Sequence, residues 1–165
     1  MNANENLLYE IYKSFRNKDL TILSDCYAGC ATFSDPVFTN LNKDLTLAMF
    51  EKLMSTADHL WIDIKKITAN RQTGRAEWLI TYTCSLTGRK IVQSMESYFI
   101  FKNGKIGRQI DYFNFYSYIR QLKGLKGLLW GWAGIFKDKV QNSAMRNLNL
   151  FLGAKKPNQT GMEMA

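Results

Sequence analysis

The sequence is poor in several residues that define other protein classes. Its 165 residues include two prolines and 11 glycines, too few for a collagen-like or linker-dominated chain. The three cysteines, Cys26, Cys30 and Cys84, are an odd number without C-x-x-C spacing, and His59 is the sole histidine. A metal site built from His and Cys is therefore not expected. The spacing reads Cys26 and Cys30 as small buried residues near a helix end, and His59 as a surface or junction residue. The longest charge-free apolar stretch, Gly127 to Phe136, is well short of the roughly 20 residues of a membrane span. The polar start, Met1-Asn2-Ala3-Asn4-Glu5, lacks the pattern of a secretory signal, so a cytoplasmic location is expected.

What is present is enough for a core, with 46% hydrophobic and 13% aromatic residues. The formal net charge of +8 is unevenly spread. Residues 1–100 hold 11 Lys+Arg against 11 Asp+Glu, whereas residues 101–156 hold 11 against two. No nucleic-acid-binding signature accompanies this excess, so no nucleic-acid partner is expected.

Apolar spacing predicts an amphipathic helix over 6–17, built on Leu7, Leu8, Ile11, Tyr12 and Phe15. A short second helix follows Asp19 and ends near Gly29. Ala31–Val37 reads as extended, because Pro36 pushes Asp35 out of the α region. A third helix, capped by Asp44, carries Leu47, Phe50, Leu53 and Met54. Four strands follow: one begun by Trp61, then 75–86, 90–102 and 105–112, connected by short glycine turns at Gly74, Gly88 and Gly104. Asn103-Gly104 is the strongest of these hairpin signals. Two helices, over 116–122 and about 129–152, close the order, with Trp132, Phe136, Val140, Ala144 and Leu148 in one stripe. This predicts an α+β fold with one antiparallel sheet and segregated helices. We expect a single domain over 1–153, its core over about 6–115, and a disordered tail over 154–165. Strand 77–86 is apolar on two faces, one bearing Trp78, Ile80, Tyr82 and Cys84, the other Leu79, Thr81, Thr83 and Ser85. A second copy of the chain covering the outer sheet face is the simplest cover, which predicts a homodimer.

The Asp19-Leu20 between helices, the Ala31-Thr-Phe-Ser-Asp35-Pro-Val37 strand, the Asn103-Gly-Lys-Ile106 turn and the Asp111-Tyr-Phe113 ending together resemble the nuclear transport factor 2-like superfamily. Within it the chain is most similar to the SnoaL-like proteins. The resemblance implies a curved sheet wrapped around the N-terminal helices into a cystatin-like cone, with an extra C-terminal helix. The cone would hold a small hydrophobic molecule without cofactor or metal. Helix face and strand alternation predict a lining of Ile11, Phe15, Phe33, Phe50, Met54, Trp61, Leu79, Met95, Phe99 and Phe113. The same residues could instead fill a solid core.

Two enzyme types of the superfamily offer comparisons. Ketosteroid isomerases move a proton with an aspartate in an Asp-Pro-Val strand, and Asp35 matches it. Their oxyanion tyrosine falls on Ile11, with Tyr12 about 100° around the helix, and their second aspartate falls on Ser97. In limonene epoxide hydrolases an aspartate before Tyr-Phe ends the last strand, and Asp111 matches it. Their Arg-x-Asp falls on Thr81 and Thr83. The resemblance thus implies Asp35 as base, with Asp111, Thr81, Thr83 and Ser97 as polar partners, in a cofactor-free isomerase, cyclase or hydrolase. The alternatives are structural: Asp35 accepting backbone N–H bonds around Pro36, and Asp111 capping or pairing with Arg108 or Arg120. A further reading is a non-catalytic module. Here 125–152, with Trp130, Trp132, Phe136, Lys137, Lys139 and Arg146, would meet an anionic membrane surface or fold onto the domain.

Overall fold

The computed structural model of the protein describes residues 1–124 and 133–155, with side chains in the latter segment from residue 137. Helix α1 (Ala3–Asn17) starts at a reciprocal cap: the Asn2 side chain accepts from the Glu5 N–H, and the Glu5 carboxylate accepts from the Asn2 N–H. It buries Leu8, Ile11, Tyr12 and Phe15. Helix α2 (Leu20–Cys26) is capped by Asp19 as expected, but strand β1 (Tyr27–Ser34) begins at once, before Gly29. After the short strand β2 (Leu41–Asn42), helix α3 (Lys43–Thr56) is capped by Asn42, not Asp44. Asp44 sits inside its first turn, where its charge suits the helix dipole.

Strands β3 (Ala57–Ala69), β4 (Thr73–Cys84), β5 (Arg89–Lys102) and β6 (Lys105–Tyr112) form the expected antiparallel meander. At the β5–β6 turn both Asn103 and Gly104 adopt positive φ, 52° and 73°, as a tight Asn-Gly hairpin requires. The sheet order is β2-β1-β6-β5-β4-β3. One expectation fails here, because the sheet is mixed: β1 runs parallel to β6. The chain reaches β6 from β1 only after α3 and four other strands, and such a long crossover lets the two strands share a direction. The register also shifts between Tyr27 and Thr32 in β1, and Cys30 lies exposed in that irregular stretch. The expectation that it is buried is thereby corrected, whereas Cys26 is buried.

Helix α4 (Phe115–Lys123) turns back along β5 where β6 has ended. Its Gln121 side chain both accepts from the Val92 N–H and donates to the Val92 carbonyl, at 2.7 and 3.0 Å, replacing a missing strand neighbour. Helix α5 (Ala133–Lys155) buries Leu148 in the main core, with Val140 and Ala144 packed partly against the body. Its Gln141 donates to the Pro36 carbonyl at 3.0 Å, and Lys155 pairs with Glu51. The described part of the apolar stripe thus meets protein. Trp130, Trp132 and the 156–165 part of the expected tail lie outside the described residues, as does the Phe136 side chain. Residues 154 and 155, expected in the tail, are helical. No described helix is long and apolar enough to cross a membrane.

Candidate active site

The concave side of the sheet, α1, α3 and α5 enclose a cavity of about 360 Å³. Ile11, Phe15, Phe33, Phe50, Met95 and Phe113 line it as expected. The exposed Leu86 and Asn147 and the half-buried Lys52 mark its mouth, while Tyr12, Trp78 and Asp111 lie deep. Burial lowers the Lys52 ammonium from its ordinary pKa, because the charged form loses hydration.

Asp35 and Asp111 both line this cavity. They arrive there by different routes. Asp35 follows β1, and its Oδ1 accepts the N–H groups of Val37 and Phe38, each at 2.6 Å. The turn around Pro36 therefore fixes the carboxyl, as the structural reading expects, while the same carboxyl borders the cavity. Burial pushes Asp35 up to about 6, against the pull of those two N–H bonds. Asp111, only 4% exposed, sits near the end of β6. Its partner is Gln109: the amide Nε2 donates to Asp111 Oδ1 at 2.9 Å, and the buried Tyr27 hydroxyl donates to the other end of that amide. The tyrosine thus fixes which way the amide points. Neither Arg108, which is exposed, nor Arg120 forms an ion pair with Asp111. Burial raises Asp111 to about 7; Gln109 and the neighbouring Ser97 favour its charged form, and the charge of Asp35 raises it further.

Ser97 stands opposite Asp111 in the β5–β6 register and is fully buried. It lies behind the lining rather than on it, and its Oγ accepts from Trp78 Nε1 at 2.9 Å. Tyr12 rests against the Trp78 ring, with centroids 5.0 Å apart. Its buried hydroxyl has no partner at hydrogen-bonding distance among the described residues. Burial, and then the charge of Asp111, push the Tyr12 hydroxyl well above its ordinary pKa, so it remains a proton donor.

Several expected lining residues lie elsewhere. Leu79, Thr81 and Thr83 are on the other face of β4, because the bulkier alternate set of Trp78, Ile80, Tyr82 and Cys84 faces the helices. The Arg-x-Asp correspondence through Thr81 and Thr83 is therefore off the site. Trp61 is 56% exposed. A bulge between Asp58 and Trp61, with His59 at φ 53°, resets the alternation of β3 so that Ile62 points inward and Trp61 lies under the Arg16 guanidinium. Met54 and Phe99 are buried but pack in the core; Phe99 stacks on Phe101, and Leu53 takes the place on the cavity expected of Met54. Sequence reasoning missed Gln109, Gln93 and Trp78 as site residues. The i, i+2 spacing of Gln109 and Asp111 on one strand face was the available signal for the first.

The outer side of the sheet carries a second, more open depression of about 560 Å³, bordered by Thr68, Asn70, Arg75, Tyr98, Ile100 and Arg108. No carboxyl lines it. Among the described residues no group of three or more His, Cys, Asp or Glu is arranged to hold a metal ion.

No protein-family model and no curated protein matches the sequence. Solved structures do match the fold. An NTF2-like protein of unknown function from Burkholderia pseudomallei superposes with a TM-score of 0.68 at 16% identity, covering 74% of this chain and 99% of its own. A putative polyketide cyclase from Xanthomonas campestris gives 0.64 at 16% identity, covering 73% and 97%. An LEH-like epoxide hydrolase of M. tuberculosis gives 0.63 at 15% identity, covering 77% and 95%. The fold is that of the nuclear transport factor 2-like superfamily, an α+β cone with a curved sheet. Each of these three matches leaves about a quarter of this chain uncovered.

Proposed function

We propose that the protein binds a small, mainly apolar carbonyl compound in this cavity and transfers a proton on it without a cofactor, with Asp35 as base and Asp111 as acid. The observation that supports this reading most is the pairing of two buried carboxyls, bordering one apolar cavity, whose environments push them to about 6 and about 7. Two backbone N–H bonds favour the carboxylate form of Asp35, and its charge raises Asp111, which suits Asp35 as the base and Asp111 as the acid. Asp35 would take the proton from a carbon next to the carbonyl. The C–H electron pair then moves onto the carbonyl oxygen as an enolate, which the Asp111 O–H and the free Tyr12 O–H stabilise. Returning the proton from Asp35 to another carbon of the enolate completes an isomerisation with no oxidant or reductant.

Gln109 and Ser97 are positioning residues for Asp111 in this scheme, and Thr81 and Thr83 have no part in it. The test is hydrogen–deuterium exchange at the α-carbon of a cyclic ketone such as 2-tetralone, followed by NMR in heavy water. Exchange accelerated by the protein and lost in Asp35→Asn supports the reading. Saturable binding of the ketone with no acceleration would instead mean a ligand carrier.

Two further parts of the reading concern setting and assembly. The free thiols Cys26, Cys30 and Cys84 suit a reducing cytoplasm. A second copy of the chain would cover the exposed Trp61, Val92, Tyr98, Ile100 and Tyr112.

A further inference from the structure

Gln93 lies on β5 with its side chain 5% exposed, and it lines the cavity. Its amide Nε2 has no hydrogen-bond partner among the described residues. A buried donor left unpaired carries a cost that a polar site normally avoids, and water trapped in the cavity can meet that cost while the site is empty. A ligand that displaces such a water must replace its bond or lose affinity. Ile80 is the cross-strand partner of Gln93, and Ile91 and Met95 flank it on the same strand face, while the nearby Tyr82 and Tyr118 hydroxyls bond each other. An amide donor set among apolar side chains reads one feature of a ligand, an acceptor atom at a fixed point.

That point is far along the strand from Asp111. Ser97 stands opposite Asp111, and Gln93 is four residues further along β5, so the two levels are about 13 Å apart at the usual strand rise. Tyr12, against Trp78 and near Ser97, belongs to the Asp111 end. The cavity therefore has donors at two levels, separated by apolar wall.

We propose that Gln93 is a second anchor that selects ligands with a hydrogen-bond acceptor, a carbonyl or ether oxygen, at the end of the molecule remote from the reacting carbonyl. This rests on the carboxyl-end reading above and adds a substrate class to it: an elongated apolar skeleton with oxygen acceptors at both ends. An apolar molecule with one acceptor would occupy the same space but leave one of the two donors unpaired.

The test uses biphenyl, 4-acetylbiphenyl and 4,4′-diacetylbiphenyl, which share a rod-like skeleton and carry no, one and two carbonyls. Affinities measured by calorimetry for the wild-type protein are expected to rise about tenfold with each carbonyl. In Gln93→Met the step from one to two carbonyls vanishes while the step from none to one remains. The melting temperature of the empty Gln93→Met protein equals or exceeds that of wild type, because an unpaired amide has been removed. Should that variant not fold, Gln93→Leu serves: it leaves no donor at that point, so the diketone binds no tighter than the monoketone. Both steps surviving in the substituted protein would overturn the anchor and leave the carboxyl-end reading standing. Equal affinities for all three probes in wild type, or no binding of any, would overturn both. Both steps in wild type, the second lost in Gln93→Met, together with ketone exchange that ignores Asp35→Asn would retain Gln93 and reject the proton transfer.

Discussion

Strand β5 carries two surfaces made from alternate residues. Inward it presents Ile91, Gln93, Met95, Ser97 and Phe99, and outward Val92, Glu96, Tyr98 and Ile100. The outward polar groups pair among themselves: Arg75 bridges Glu77 and Glu96, Tyr98 donates to Glu96, and the Arg75 guanidinium lies 5.6 Å from the Tyr98 ring. The inward ones are less completely served. Asp111 is held by Gln109 but kept from ready ionisation by burial, and the Tyr12 hydroxyl and Gln93 Nε2 have no hydrogen-bond partner among the described residues. The outer face can change cheaply because water screens it, whereas the inner face holds unmet bonding capacity where each loss is large.

The largest expected effect on this contrast is kinetic. Asp35→Asn is expected to slow α-carbon exchange of a bound ketone by about 10²–10⁴-fold. The outer-face change Thr81→Val leaves it unaltered, and NMR exchange rates check both. Next comes packing. Phe33, buried beside Phe50 with ring centroids 5.4 Å apart, should cost about 3–5 kcal/mol when changed to alanine. Trp61→Ala on the outer face should cost no more than about 1 kcal/mol, mainly the Arg16 contact. Urea denaturation separates the two.

The third contrast is in pH dependence. Both inner carboxyls are raised above the ordinary value of 3.8, to about 6 and about 7. The folded state therefore binds protons more tightly than the unfolded chain. The stability this gives is fully present below about pH 4 and is lost as pH rises through 6 and 7. From this pair alone, stability should fall by a few kcal/mol, on an order-of-magnitude scale, between pH 5 and 8. Asp111→Asn should flatten that fall and raise stability at pH 8, as read from melting temperature across pH. The smallest effect belongs to the outer ion pair. Glu96→Gln should change stability less than any of the substitutions above, with the change shrinking in high salt.

Much of this architecture is legible in residue spacing. The Asn103-Gly104 turn, the four-strand meander and the Pro36 break were readable because each rests on local backbone preference. Asp35 and Asp111 were legible as candidates through the Asp-Pro-Val and Asp-Tyr-Phe patterns. Trp61 was misread because a three-against-two bulge is a property of strand pairing, and no alternation pattern within β3 records it. Leu79, Thr81 and Thr83 were misread because both faces of β4 are apolar enough to be buried, so side-chain volume had to decide. Gln93 stayed hidden for another reason. Its significance is a missing partner, and only the packed arrangement shows which groups a buried amide fails to reach.

The most direct test of the account is a titration of the two carboxyl carbons by NMR, with ¹³C-labelled aspartate, in wild type and in Asp35→Asn. The account predicts that Asp35 titrates near 6 and Asp111 near 7. It also predicts that removing the Asp35 charge lowers Asp111, because that charge is one of the causes holding it up. Two carboxyls that both titrate near their ordinary values, with Asp111 unmoved by Asp35→Asn, would contradict the acid–base pair at the centre of this reading.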